Sequence, residues 1–220
     1  MIRALVLLIV GWSCAGASLA SAESLNLLGD RDFRHVDGAG LPLGYKVVAK
    51  VSGESGELDG REYVSYVDSD DSVENIKLEI PDGKNLWLSQ LKPVALEGGE
   101  AYLFSVSLKW DQLEGTGPGL PNHGPGFFVY VHSAISEQHS IALVTPSGAS
   151  DGWVKLQIPI DPVKRPDFRS VRLLFYSKDI KGTIWIKEAS LTPVNPGENP
   201  SLPVFTLPDG QNITGTKLTL

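Results

Sequence analysis

The chain has 220 residues, 42% of them hydrophobic, and its 26 acidic against 19 basic side chains give a formal net charge of −7. A chain of this length can bury the core of one domain without disulfide staples. Its acids are dispersed instead of forming blocks, so the composition favours solubility and excludes nucleic acid and anionic membrane as expected partners.

Taken in chain order, the first element is a leader. Met1, Ile2 and Arg3 make a short basic start, residues 4–10 are unbroken apolar, and Ala20-Ser21-Ala22 supplies the small-x-small pattern of a cleavage site. This predicts a signal peptide over 1–22, cleaved near Ala22, and a secreted or periplasmic protein with its domain over 23–194. Crossing a bilayer takes about 20 apolar residues, so no membrane insertion is expected. Acylation at Cys14 is disfavoured by Gly11 and Trp12 in front of it. Cleavage removes Cys14 and Met1, the only Cys and Met, and leaves no thiol for a disulfide, a nucleophile or a metal site.

From residue 45 onward the periodicity is that of strands. The clearest run is 101–110, where Tyr102, Phe104, Val106, Leu108 and Trp110 share one face and Ser105, Ser107 and Lys109 the other. Residues 75–80 alternate likewise. Further runs rich in β-branched and aromatic residues fall at 45–51, 63–67, 86–91, 127–134, 141–144, 153–158, 171–176 and 183–191. Turn signals such as Pro81-Asp82-Gly83 and Glu97-Gly98-Gly99 separate them. No stretch holds a helical period with caps. Many short strands without helices between them predict an all-β protein, an antiparallel β-sandwich. Two segments break the pattern. Residues 112–126 are dense in Gly and Pro and read as a long exposed loop, and residues 195–220 read as a Pro-containing tail with short edge strands over 202–207 and 216–220.

Several segments carry a further signal through their order. They are Asn26-Leu27-Leu28-Gly29 leading to Phe33, then Leu41-Pro42-Leu43-Gly44-Tyr45, Trp87-Leu88-Ser89-Gln90, Gly99 through Tyr102 to Ser105, Gly152-Trp153, and a closing run from Gly182 through Lys187 and Glu188 to Leu191. Over about residues 25–193 this resembles the jelly-roll, galactose-binding-domain-like carbohydrate-binding modules found beside bacterial glycoside hydrolases. The resemblance implies a jelly roll and a secreted, non-catalytic module that binds polysaccharide or another glycan. Many such modules hold a structural calcium. Here the resemblance points to Asp30, Asp32 and Glu188 as candidate ligands, whereas Arg34 and Lys187 stand where the family places calcium-binding acids and oppose a cation. No other cofactor is expected.

A sugar ring offers an apolar face and a rim of hydroxyls, so its site needs an aromatic platform and planar polar side chains. Alternation says which side chains leave the core. Leu86 and Leu88 facing inward put Trp87 and Ser89 outward. Val129 and Val131 inward put Tyr130 and His132 outward. Val171, Leu173 and Phe175 inward put Arg172 and Tyr176 outward. The candidate ligand-binding set is therefore Trp87, Ser89, Lys109, Tyr130, His132, Arg172 and Tyr176, taken as one amphipathic sheet face. Trp110, Trp153 and Trp185 are assigned to core or edge packing. Arg172 has as its alternative an ion pair with an acid such as Glu79.

No residue is expected to be catalytic. His35, His123, His132 and His139 lack metal-ligand spacing, residues 68–72 read as a solvated acidic turn, and there is no nucleophile elbow, phosphate loop or dinucleotide fingerprint. Two other readings stay open. One is a structural or protein-interaction sandwich that has lost sugar binding, its tail docking on a protein partner by strand addition. The other is a polysaccharide lyase or glycoside hydrolase, for which the sequence singles out no carboxylate pair.

Overall fold

A computed structural model describes residues 26–28, 44–67, 75–97, 99–195 and 197–219. The leader, Asp30, Asp32, Arg34, His35 and the acidic segment 68–72 lie outside the described residues. Among the described residues no helix is long and apolar enough to cross a membrane.

In chain order the strands are β1 (Tyr45–Val51), β2 (Leu58–Asp59), β3 (Val64–Val67), β4 (Asn75–Ile80), β5 (Lys84–Gln90), β6 (Val94–Ala95), β7 (Ala101–Gly115), β8 (Gly126–Ser133), β9 (His139–Val144), β10 (Val154–Ile160), β11 (Ser170–Lys178), β12 (Ile180–Val194), β13 (Val204–Thr206), β14 (Asn212–Thr214) and β15 (Lys217–Leu218). They form two sheets. One has eight strands in the order β15-β9-β8-β11-β5-β1-β2, with β6 also paired to β11, and the other has seven in the order β14-β13-β10-β7-β12-β4-β3. Nearly every pairing is antiparallel, the exception being the short β15 beside β9. The architecture is the all-β sandwich that the alternation predicts, in the jelly-roll form that the resemblance implies.

The core lies between the sheets and is made by the inward half of each alternating strand. Tyr102, Phe104, Val106, Leu108 and Trp110 of β7 meet Phe127, Val129 and Val131 of β8, Leu86 and Leu88 of β5, and Val171, Leu173 and Phe175 of β11. Each such side chain contributes roughly 1.5–3 kcal/mol over its exposed state. Strand β12 keeps pace with β7 only through two register shifts, the first between Lys181 and Thr183. Its register shifts again at a bulge between Lys187 and Ser190, where Glu188 has φ +55°, so Ile184 and Ile186 point inward before the bulge and Ala189 and Leu191 after it. Asn26 clamps this place: its Oδ1 accepts the Leu191 and Leu28 N–H groups at 3.0 and 3.1 Å, and its Nδ2 donates to the Ala189 carbonyl at 3.4 Å.

The segment after residue 195 corrects the expected tail. The edge strands are there, but they are built into both sheets: β13 pairs with β10, β14 with β13, and β15 with β9. Phe205 and Leu218 are fully buried in the core. The prolines that suggested a departing chain fall outside the three strands, where they cost no ladder hydrogen bond. Docking of a free tail on a partner would require these strands to leave the sandwich.

Candidate functional site

The outer face of the eight-stranded sheet brings most of the candidate residues together in rows set by strand register. One row runs Val48, Trp87, Tyr176, Phe128, Leu143 across β1, β5, β11, β8 and β9. One pleat further stand Lys46, Ser89, Leu174, Tyr130 and Ile141, and beyond them Arg172, His132 and His139. On the other side of the Trp87 row, Lys50 stands opposite Asn85, and Lys178 ends β11.

The rings in these rows touch in an unbroken series. Trp87 and Tyr176 stack with centroids 4.5 Å apart and planes 16° from parallel. Phe128 continues the stack at 5.9 Å from Tyr176 and 5.9 Å from Tyr130. Tyr130 then meets His132 at 5.1 Å and His139 at 5.2 Å. Rings standing on a sheet spend their faces on one another. Trp87 ends the series: Tyr176 backs one of its faces, and the Lys50 ammonium lies 5.3 Å from the ring centroid. A long lysine side chain is easily moved, and an exposed cation–π contact is worth only about 0.5–1 kcal/mol.

The polar groups beside the stack are in usable states. The Tyr130 and Tyr176 hydroxyls have no hydrogen-bond partner among the described residues. Burial pushes the Tyr130 hydroxyl up to about 12. Burial raises Tyr176 too, with Tyr130 and Asp179 adding to it. Both therefore remain O–H donors at neutral pH. Burial, and then the neighbouring His139, lowers the His132 pKa, so at pH 7 its ring is neutral and offers one donor and one acceptor. Arg172 is exposed and has no ion pair among the described residues. The alternative pairing with Glu79 does not occur, because Glu79 belongs to the other sheet and is bound to Lys77.

The Gly- and Pro-rich segment between β7 and β8 is a largely exposed loop as expected, shorter than 112–126 because β7 runs on to Gly115 and β8 starts at Gly126, but it does not stand free. It folds back on the sheet face, where Leu120 packs on Phe128, Tyr130 and Leu143, and His123 meets Phe128 edge-on. Phe128 is fully buried as a result, and Tyr130 keeps 7% exposure. The segment closes on itself by hydrogen bonds between Leu120 and Gly124. Gly119 allows this: it has φ +75°, and a Cβ there would lie 1.8 Å from the Gly124 carbonyl carbon.

Asp179 fastens the loop. Its Oδ2 accepts the Gly119 N–H at 3.0 Å, its Oδ1 accepts the Ser52 hydroxyl at 2.6 Å and the Lys178 ammonium at 3.0 Å, and its own carbonyl accepts the Thr116 N–H at 2.8 Å. Its N–H donates to Asn85 Oδ1 at 2.7 Å. Sequence reasoning missed Asp179, Lys50 and Phe128. Alternation could have placed Phe128 beside Tyr130, but nothing local marks Asp179 or Lys50.

Lys109 is separated from the other six candidates. Strand β7 belongs to the seven-stranded sheet, so Lys109, Ser105 and Ser107 project from the opposite side of the sandwich. Alternation distinguishes the two faces of a strand but not the two sheets. There Lys109 lies over the Trp185 ring at 5.6 Å and Lys187 over the Trp153 ring at 4.4 Å. Trp153 and Trp185 are thus half-buried on an outer face, and only Trp110 of the three is in the core. Glu188 is on that side too, accepting the Ser107 hydroxyl at 2.7 Å and lying 3.7 Å from the Lys187 ammonium. Among the described residues no group of three His, Cys, Asp or Glu side chains could hold a metal ion.

No protein-family model matches the sequence, and neither does any curated protein. Solved structures do, and most of them are carbohydrate-binding modules. The enzymatically active domain of tailspike protein 4 from bacteriophage CBA120 matches 77% of this chain with a TM-score of 0.51 and 10% identity, and the match covers 21% of that chain, about a fifth of its length. The module TmCBM61, solved with β-1,4-galactotriose, matches 78% of this chain and 100% of its own, with a TM-score of 0.48 and 14% identity. The family 11 module of a Clostridium thermocellum cellulosomal cellulase matches 79% of this chain and 95% of its own, with a TM-score of 0.45 and 10% identity. At such identities the likeness is one of fold.

Proposed function

We propose that the mature protein is a secreted, non-catalytic polysaccharide-binding module whose ligand lies on the outer face of the eight-stranded sheet. The observation that carries this reading is the Trp87 ring, half-buried on the outer face between Val48 and the stacked Tyr176, with the displaceable Lys50 ammonium 5.3 Å from its centroid. The C–H face of a sugar takes the place of Lys50 there. Its hydroxyl rim meets Ser89, the hydroxyl of Tyr176, which has no partner among the described residues, and, one or two pleats on, Tyr130, His132 and Arg172. Aromatic contacts contribute about 0.5–1.5 kcal/mol each, so binding is modest and reversible. The non-catalytic part is supported by the outward positions of β5, β8, β9 and β11, which carry no Asp or Glu, whereas glycoside hydrolysis needs two placed carboxylates. Export is supported by the leader pattern.

A glycan array with the protein from Glu23 onward tests the reading, followed by calorimetry on any hit. The same glycans should be assayed for new reducing ends and unsaturated products. A blank array from folded protein sinks the binding proposal. Product release sinks its non-catalytic part and would direct attention to Tyr130, His132 and Arg172 as proton-transfer groups.

No metal is required in this reading, because Glu188 is already engaged by Ser107 and Lys187. EDTA is expected to leave both the melting temperature and the affinity unchanged. A fall in either on chelation, restored by added calcium, would instead establish a structural cation.

A further inference from the structure

The same face also carries information about the charge of its ligand. We propose that the polysaccharide is anionic, its carboxylate or sulfate groups meeting Arg172 on one side of the aromatic row and Lys50 and Lys178 on the other. This rests on the sugar-binding reading above and adds the ligand class.

The chain as a whole is acidic, yet its acids avoid this surface. The outward positions of β1, β5, β8, β9, β11 and β15, with the loop 116–125 folded over them, hold Lys46, Lys50, Arg172, Lys178 and Lys217 and no Asp or Glu. His123, His132 and His139 add three imidazoles to the same side. Of the described carboxylates that come near, Asp179 and Asp59 are committed, while Glu137 is exposed beside His139 at the end of the face. Asp179 is 4% exposed and holds Ser52, Lys178 and Gly119. Asp59, at the β2 edge, pairs with Arg61 at 3.3 Å. Glu57 lies 3.6 Å from Lys46 and 3.7 Å from Lys50, long contacts between partly exposed groups that contribute little. Arg172 and Lys217 have no ion pair among the described residues.

The outer face of the other sheet is built differently. There Glu79, Glu114 and Glu188 stand beside Lys77, Lys181 and Lys187, at 2.9 Å in the Lys181–Glu114 pair and 3.7 Å between Lys187 and Glu188. A chain with more acids than bases would by chance place some on each face. On this face Arg172 and Lys217 are left without a counter-charge among the described residues, a surplus that an anionic partner relieves, and such a field also speeds its arrival. The guanidinium fork of Arg172 suits two oxygens of one carboxylate or sulfate. From Lys178 to Arg172 is six residues along β11, ~20 Å at about 3.3 Å per residue. A ligand reaching both is therefore an extended oligosaccharide with repeated charges, not a single acidic sugar.

Calorimetry of the full mature protein with four probes tests this: alginate oligosaccharides for carboxylate, a sulfated galactan for sulfate, a neutral galactan, and single-stranded oligothymidylate as a polyanion without sugar-acid chemistry. One of the two anionic glycans should bind at least about tenfold more tightly than the neutral one. That advantage should disappear as salt rises from about 0.1 M to about 1 M and the Debye length shrinks from ~10 Å to ~3 Å. Arg172→Gln should weaken anionic binding about tenfold, the worth of one charged hydrogen-bonding group, and weaken neutral binding clearly less, so that the preference for the anionic glycan narrows. Lys155→Gln, on the other outer face, should change nothing. Equal, salt-independent binding of the neutral galactan overturns the charge inference while the binding-module reading survives. Oligothymidylate binding as tightly as the glycans also overturns it, by showing general polyanion attraction. No binding to any probe, with an otherwise blank array, removes both readings.

Discussion

Replacing Asp179 with alanine is expected to destabilise the fold by roughly 2–4 kcal/mol, a range set by the loss of one partner from a largely buried charged hydrogen-bond cluster. Three donors lose their acceptor at once: the Ser52 hydroxyl, the Lys178 ammonium and the Gly119 N–H. Lys178 has a side chain only 19% exposed, so water replaces the carboxylate imperfectly. Asp179 also sits at φ +49°, a conformation Asp and Asn tolerate better than alanine. Asp179→Asn therefore isolates the charge from the backbone and should cost less. For a domain of this size each kcal/mol moves Tm by roughly 2–4 °C, which thermal unfolding resolves easily. The pH dependence separates the charge further. Burial raises this carboxyl, but the hydrogen bonds from Ser52, Lys178 and Gly119 outweigh it and hold the pKa below the usual carboxylate value. The folded state thus prefers the ionised form. Its contribution is present in full above the unfolded value of about 3.9 and is lost as pH falls through the lower folded value. The parent protein should lose stability in that acid window, and Asp179→Asn should lose less across it. An Asp179→Ala protein with unchanged Tm would show that the loop holds its place without this anchor.

The parts of the molecule that alternation reaches were legible, and the parts that depend on where whole strands go were not. In β5, β8 and β11 the inward side is marked by Leu, Val and Phe at every second place, so Trp87, Ser89, Tyr130, His132, Arg172 and Tyr176 all emerge on the outward side. Lys109 obeys the same rule on β7, yet β7 pairs with β10 and β12 in the other sheet. Sheet membership is decided by long-range pairing, which a single strand's pattern does not encode. The bulge at Glu188 defeats the pattern for a different reason: one inserted residue changes the parity of everything after it. For the segment 116–125, Gly and Pro predicted a loop correctly, but its direction depends on Leu120 finding the apolar surface of Phe128 and on an aspartate some sixty residues away. The face's charge was hidden by the net figure, since a total of −7 says nothing about which side the acids avoid.

Trp87→Ala is expected to abolish most binding while leaving the protein folded. The ring stands on the outer face, so its removal leaves the Leu86 and Leu88 contacts in the core intact. What disappears is the platform. Alanine substitution at an aromatic platform costs roughly 1–3 kcal/mol in the comparable case of stacked nucleobases, about ten- to hundredfold in affinity. The upper end is expected here, because Trp87 also backs Tyr176, and Tyr176 without its 4.5 Å neighbour loses its fixed orientation. Trp87→Phe restores a ring at the same register and should recover part of the affinity. Lys50→Ala supplies the opposite test. That lysine's ammonium lies 5.3 Å from the Trp87 ring centroid, and its departure removes a competing contact worth about 0.5–1 kcal/mol along with one cation. For a neutral sugar the first effect stands alone and affinity should rise slightly. For an anionic one the lost attraction opposes it and affinity should fall. Calorimetry on the three variants, with near-ultraviolet circular dichroism as the check on folding, decides the matter. Full binding by folded Trp87→Ala would move the site off this row, and the Trp153 and Trp185 surface of the other sheet would be the next place to substitute.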